Sequence, residues 1–257
     1  MSDLAPLHFS QLKHIAASPA HYAYNLVHPP SQSAAFALGS AVDAFLIGEG
    51  ERVLQCSERR GTKAHAAFLE TVKVDDPLIL KPAEFDKACE MADSVVRNAR
   101  AVELLQGERQ KTVQWSWLGR RSEGTPDVFC LDHLTELKTG RTSHPTRFQS
   151  QARWYGYHAQ LAWYRRALIE SGFGTPASYW IVAVESSPPY PVTVFQLTDS
   201  AIEQGERACR AWLERLLVCE ASDHWPGYTD AVVPFDVPDE SEGFTLNIDG
   251  EETEIEG

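Results

Sequence analysis

The spacing of apolar residues changes period along this chain, and the order of those changes limits what it can fold into more than any other feature. Residues 83–105 carry apolar side chains at helical intervals, closed by Gly107. Three short alternating runs follow, 112–118, 126–131 and 134–138, separated by turns at Gly119-Arg120 and Asp132-His133. Helical spacing returns over 146–171 and ends at Gly172. Two more strands are expected at 179–185 and 190–197, around the turn-forming Ser186 to Pro189, and a last helix at 199–218. Helices, a three-stranded meander, a helix, two strands and a helix, in that order, specify a mixed α/β domain built on one central sheet. The length, 257 residues, suits one large domain.

Before the meander the chain is mainly helical. Ser10 is placed to cap a helix that runs through Ala17 and stops before Pro19, and 38–47 reads as a helix with Leu38, Val42, Phe45 and Leu46 on one face. Asp43 lies on that helix one turn after Gly39. Residues 49–82 are charged and irregular, with Arg59, Arg60 and Lys63 ahead of a short helix at 64–71, and read as an arch-like insertion.

The net charge is −13, from 23 Lys and Arg against 36 Asp and Glu, which taken as a sum argues against a nucleic-acid partner. Its distribution removes that objection. The last basic residue is Arg215 and 12 acidic residues follow it, so the chain up to Arg215 has 23 basic and 24 acidic residues. Within it, the stretch from Arg109 to Arg166 carries ten basic residues and four acidic ones, Glu123, Asp127, Asp132 and Glu136. Residues 1–235 are expected to form the folded domain. Residues 236–257, acidic and rich in Gly, Ser and Pro, are expected to be a mobile tail that competes with DNA for a basic groove or docks on a basic partner.

The weakly polar stretch 34–48 is interrupted by Asp43 and is too short to span a bilayer, and no charged flank precedes an apolar run at the start. No membrane partner and a cytoplasmic location are therefore expected. The five cysteines are scattered without a CxxC pair, which fits reduced, buried thiols. No phosphate-binding glycine loop and no HExxH pattern is present. Ser10-Gln-Leu-Lys13 matches a Ser-x-x-Lys pattern without its companion motifs, and the capping serine explains it.

The chemistry-bearing pattern is Pro126-Asp127, eight residues, then Glu136-Leu137-Lys138. Glu136 and Lys138 are two apart on a strand and project from one face, while Leu137 points the other way into the core. If Asp127 lies on the neighbouring strand, two carboxylates and an ammonium converge. That set suits a hard divalent cation and an attacking water at a phosphodiester. The alternative is an exposed Glu/Lys strand with Asp127 in a turn. On the following helix Arg153, Tyr157, Gln160 and Tyr164 share a face, either toward a phosphate backbone or, for the tyrosines, as part of a core stripe with Leu161 and Leu168.

Pro126-Asp127, Glu136-Leu137-Lys138-Thr139 and Tyr157-His158-Ala159-Gln160 with Tyr164 resemble the PD-(D/E)xK nuclease superfamily, in the branch with a Gln-x-x-x-Tyr motif that includes RecB-type nucleases and lambda exonuclease. The likeness extends to Phe9-Ser10 with Leu12, to Ser18-Pro19-Ala20-His21-Tyr22, to the run from Ala35 to Val42, to Val184-Glu185 with Pro189-Tyr190, and to Trp225-Pro226-Gly227-Tyr228. Together these resemble the nuclease domain of the exodeoxyribonuclease VIII (RecE-type) family of phages and prophages.

The resemblance implies a restriction-endonuclease-like core, a central mixed β-sheet flanked by helices with an N-terminal helical part. It implies a Mg²⁺-dependent exonuclease, with Mn²⁺ as an alternative metal, acting on double-stranded DNA ends from 5′ to 3′ and leaving 3′ single strands for an annealing protein. A ring-like trimer or tetramer is also implied. By the same resemblance Asp43, Asp127, Glu136 and the Leu137 carbonyl are metal ligands, Lys138 stands beside the water, and Gln160 and Tyr164 complete the catalytic set. Arg120, Arg121, Arg141, Arg153 and Tyr157 are the expected DNA contacts. Two positions depart from the family: Asp43 stands where His is usual, and Thr125 where an Arg commonly precedes Pro-Asp, so Arg120, Arg121 or Arg153 is expected to supply the missing charge. A CRISPR-adaptation-type or RecB-like nuclease and a catalytically inactive DNA-binding recombination partner are the alternatives. No iron-sulfur cluster is expected, because only Cys209 and Cys219 lie late in the chain.

Overall fold

The computed structural model describes residues 4–29, 33–235, 244–248 and 251–255. Its N-terminal part holds α1 (Phe9–Leu12), continued by a 3₁₀ turn (Lys13–Ala16), then α2 (Pro19–Val27) and α3 (Ala34–Leu46). Ser10 is not the cap of α1. The helix starts one residue earlier, behind His8, whose N–H donates to the Gln11 side chain at 3.0 Å. Ser18 does cap α2, accepting from the His21 N–H, with Pro19 at a position where no N–H is needed.

The segment read as irregular contains β1 (Val53–Gln55), α4 (Lys63–Thr71) and β2 (Leu78–Leu80), with β1 and β2 paired in parallel. The single helix expected at 83–105 is two helices, α5 (Pro82–Val96) and α6 (Ala99–Leu104). Asn98 divides them: its side-chain Oδ1 accepts from Ala101 N–H at 3.1 Å, the capping geometry that draws Asn out of helix interiors.

The strand region comprises β3 (Glu108–Arg109), β4 (Val113–Trp117), β5 (Arg120–Gly124), β6 (Val128–Phe129) and β7 (Leu134–Gly140). The expected three-stranded meander is thus divided between two sheets. β4 and β5 form a separate hairpin whose turn residues, Leu118 and Gly119, both have positive φ, 50° and 79°. The charged run from Arg120 to Gly124, read as a connection, is a strand whose Arg120, Ser122 and Gly124 face is buried.

The main sheet has the order β3-β6-β7-β8-β9, where β8 is Tyr179–Glu185 and β9 is Val192–Leu197. β7 and β8 are parallel and the other neighbours antiparallel. The crossover between the parallel strands is α7 (Pro145–Tyr155) and α8 (Tyr157–Glu170), not one helix over 146–171. Gly156, at φ 71°, ends α7 in the left-handed conformation that glycine adopts without penalty. α9 (Asp199–Ser222) closes the domain.

Alternation along the strands divides the core into two layers. Leu134, Ile181 and Ala183 face α8 and α9, while Leu137, Val182 and Val184 face Leu38 and Val42 of α3 and Met91 and Val95 of α5. Tyr22 stacks on Trp225 at 5.6 Å, and Ala20 N–H donates to the Pro226 carbonyl at 3.1 Å. The two outlying motifs, Ser18 to Tyr22 and Trp225 to Tyr228, therefore hold α2 against the end of the chain beyond α9.

In the segment read as a tail, Phe244–Ile248 and Glu251–Ile255 pair as antiparallel strands β10 and β11. Acidic composition conceals this, but Asp249-Gly250 between two alternating runs is a hairpin signal. The other residues of 236–257 lie outside the described residues. Among the described residues no helix is long and apolar enough to cross a membrane.

Candidate active site

β6 pairs with β7 only at Val128–Thr135 and Phe129–Leu134, so the rest of β7 has an open edge on that side. Asp127, immediately before β6, fills part of the gap: its carboxylate Oδ2 accepts from Leu137 N–H at 2.8 Å. In return the Asp127 N–H donates to Glu136 Oε1 at 3.2 Å. Two carboxylates are thereby fixed against one another by backbone groups that a longer β6 would have used in the ladder. Lys138 completes the group, donating from Nζ to Glu136 Oε2 at 2.7 Å, with Glu136 only 2% exposed. The expected alternative of an exposed Glu/Lys strand is thus ruled out. The Leu137 side chain points away, into the α3/α5 layer.

Asp43 reaches the same place from that layer. Gly39, one turn earlier, lies so close to β7 that an added Cβ would be 2.9 Å from Thr139 Oγ1. The close approach lets α3 deliver Asp43 to the carboxylates. Burial, and after it the Asp127 charge, pushes the Asp43 carboxyl well above the usual range. Burial also raises Asp127, against the opposing pull of Lys138 and of the Leu137 N–H. Glu136 is pushed up to about 7, first by burial and then by Asp127. Burial works against the Lys138 charge, yet Glu136 and Asp127 overcome it and hold the ammonium above its ordinary range.

From the other layer α8 contributes Gln160 and Tyr164, joined by a 3.3 Å hydrogen bond from Gln160 Nε2 to the phenol oxygen. Gly124 makes room for them: an added Cβ there would lie 2.7 Å from Tyr164 Cε1. The Tyr157 ring lies 5.3 Å from Lys138 Nζ, in cation–π range. Two clefts flank the carboxylates. One, of about 230 Å³, is lined by Ser10, Lys13, Thr125, Tyr155, Gln160 and Tyr164. The other, of about 360 Å³, is lined by Ser40, Asp43, Arg52 and Gln110 among others.

The basic residues are distributed differently from expectation. Arg120 does not face the clefts; it is buried, with Nε 3.2 Å from Glu220 Oε1 and Nη1 donating to the Ala5 carbonyl at 2.8 Å. Its inward position on β5 is the reason. Arg121, next along the strand, is exposed, as are Arg141, one residue beyond β7, and Arg153. Arg153 lines a separate cleft of about 380 Å³ with Phe148, Tyr157 and His158. Lys13, whose pKa is lowered by burial and by Lys138, lines the same cleft as Thr125. Sequence reading assigned Ser10 a capping role and Lys13 none; the resemblance at Phe9-Ser10 with Leu12 was the available signal.

Among the described residues no three His, Cys, Asp or Glu side chains stand as a ready-made metal shell, since Glu136 is turned to Lys138 and to the Asp127 N–H. The donor chemistry nevertheless suits a metal. Asp43, Asp127 and Glu136 supply only oxygen, the preference of hard divalent cations, and they bring more negative charge than the paired Lys138 offsets. Burial is the first cause of the raised carboxyl pKa values, and repulsion between the carboxylates adds to it at Asp43 and Glu136.

An α/β core with its acidic pair and lysine at the open edge of a parallel strand is that of a PD-(D/E)xK nuclease-type domain. The chain belongs to the family described as a PDDEXK-like domain of unknown function (DUF3799), whose model matches residues 8–233. It is also similar to a protein from Eubacterium rectale, described as a "putative exonuclease", whose crystal structure was determined at 2.19 Å. That likeness has a TM-score of 0.65 at 15% identity over 90% of each chain, and is a likeness of fold. No curated protein matches the sequence.

Proposed function

We propose that this protein is a divalent-metal-dependent deoxyribonuclease, acting as a 5′-to-3′ exonuclease on linear double-stranded DNA and leaving 3′ single strands for recombination. The observation that carries this reading is the convergence of Asp43, Asp127, Glu136 and Lys138 from three separate elements on the open edge of β7. Asp43, Asp127, Glu136 and the Leu137 carbonyl are the proposed ligands. Mg²⁺ is the proposed metal, and Mn²⁺ the alternative. When bound, the cation supplies positive charge to the phosphodiester oxygens and lowers the pKa of an attacking water.

The protein's own groups do the rest. Lys138, held charged by its two carboxylates, lies where it orients the attacking water and stabilises charge developing on the phosphate. Tyr164, whose phenol stays protonated because burial and Glu136 raise its pKa, acts with Gln160 as a hydrogen-bonding wall. Exposed Arg121, Arg141 and Arg153 are proposed to meet the DNA backbone, and a single-strand annealing protein is the proposed partner.

The test is incubation of end-labelled linear and circular duplexes with Mg²⁺. Degradation of linear DNA with release of the 5′ label first, sparing of circles, and loss of cleavage in Lys138→Ala with retained fold are expected. Full activity of Lys138→Ala would overturn the assignment of the site, and release of the 3′ label first would overturn the polarity.

A further inference from the structure

Of the seven tryptophans, Trp154 alone is largely exposed, at 88%. Trp115, Trp117 and Trp163 are core residues and the remaining three are half-buried. An indole left in water forgoes the burial that usually governs its placement, so its surroundings are informative. It occupies the last turn of α7, beside the break at Gly156. Its neighbour Tyr155 lines the cleft that holds Lys13, Gln160 and Tyr164. The Tyr155 ring in turn is 5.8 Å from Tyr157, the ring that lies against Lys138. The exposed indole is therefore one residue from a side chain that lines the candidate site.

The helix that carries it is cationic. α7 contains Arg147 and Arg153 and no Asp or Glu. At about 100° per residue, Arg147, Gln151 and Trp154 form one stripe, while Phe148 is buried and Ala152 half-buried on the neighbouring one. A second copy of the chain docking this face on itself would bring like charges together, which disfavours that occupant. A polyanion with flat apolar faces suits it: an aromatic platform beside arginines is how proteins hold unpaired nucleotides without reading their sequence.

We propose that α7 is a single-strand-binding element at the mouth of the site, with the Trp154 indole stacking on an unpaired base and Arg147 pairing with a phosphate of the same strand. The proposal rests on the nuclease reading, and gives the site a preference for a frayed or single-stranded end over a closed duplex.

The experiment measures anisotropy of a labelled single-stranded oligonucleotide in metal-free buffer, so that binding is read without cleavage. Trp154→Ala is expected to weaken binding on the order of 5- to 100-fold, and Trp154→Phe, which keeps a stacking face, by no more than about threefold. Arg147→Ala is expected to lower the salt dependence by about one phosphate contact. An exposed side chain carries little folding energy, so circular dichroism is expected to be unchanged. Binding by Trp154→Ala equal to that of the parent overturns the proposal, as does a drop in oligomer size of that variant by sedimentation, which assigns the indole to a contact between copies. If the parent cleaves DNA while Trp154→Ala binds normally, only this inference fails. If the parent neither binds nor cleaves, the nuclease reading fails with it.

Discussion

The approach of α3 to β7 at Gly39 makes a quantitative claim. An alanine there places its Cβ 2.9 Å from Thr139 Oγ1, about 0.5 Å inside ordinary contact. Overpacking of this kind costs about 1–3 kcal/mol. It is opposed by the helix preference of alanine over glycine, about 1 kcal/mol. Gly39→Ala alone should therefore be neutral to destabilising, by up to about 2 kcal/mol. In a Thr139→Ala background the obstructing oxygen is gone and only the helix preference remains, so the same substitution should stabilise by as much as about 1 kcal/mol. Urea unfolding of the parent, both single variants and the double variant gives the coupling directly. Because Asp43 is one turn farther along α3 and Lys138 is adjacent to Thr139, cleavage should fall in Gly39→Ala and recover in the double variant. An equal effect of Gly39→Ala in both backgrounds would refute the argument that this contact sets the position of Asp43.

Three further outcomes follow from the packing and the charges. The folded protein holds a proton on Glu136 that the unfolded chain releases above its ordinary value of 4.5. In metal-free buffer its contribution is therefore complete below that pH and is lost as pH rises to about 7, by on the order of 3 kcal/mol. Asp43 and Asp127 act in the same sense; Glu136→Gln should flatten the urea midpoint against pH, and a divalent cation should raise the melting temperature more at high pH than at low. Replacing Arg120 by Met strands Glu220 in its 15%-exposed position and should cost about 3–5 kcal/mol by chemical denaturation, with DNA affinity of the folded fraction unchanged. At Gly205 an added Cβ would overlap the His158 carbonyl and lie 2.9 Å from Ala159 Cα, backbone that cannot move aside, so Gly205→Ala should lose about 3 kcal/mol or more and part α9 from α8.

Periodicity alone determined that this is a mixed α/β chain, and the two-residue repeat alone placed Glu136 and Lys138 on one face with Leu137 on the other, because both are local properties of a strand. The motif Gln160 to Tyr164 was legible for the same reason, one turn apart on one helix. Where local chemistry was read too coarsely, the error was a boundary: Asn98 and Gly156 each divide an expected helix, and Leu118-Gly119 makes the turn one residue early. Only the tertiary structure decided which distant groups meet. Arg120 and Lys13 were indistinguishable as positive charges in the sequence, yet one is buried against Glu220 and the other lines the cleft beside Tyr164. Trp154 reads as an ordinary aromatic until the fold leaves it in water. Resemblance alone named Asp43, but its meeting with Asp127 and Glu136 was decided by the fold, where glycine at position 39 lets one helix approach one strand, a contact between residues a hundred positions apart that no local pattern encodes.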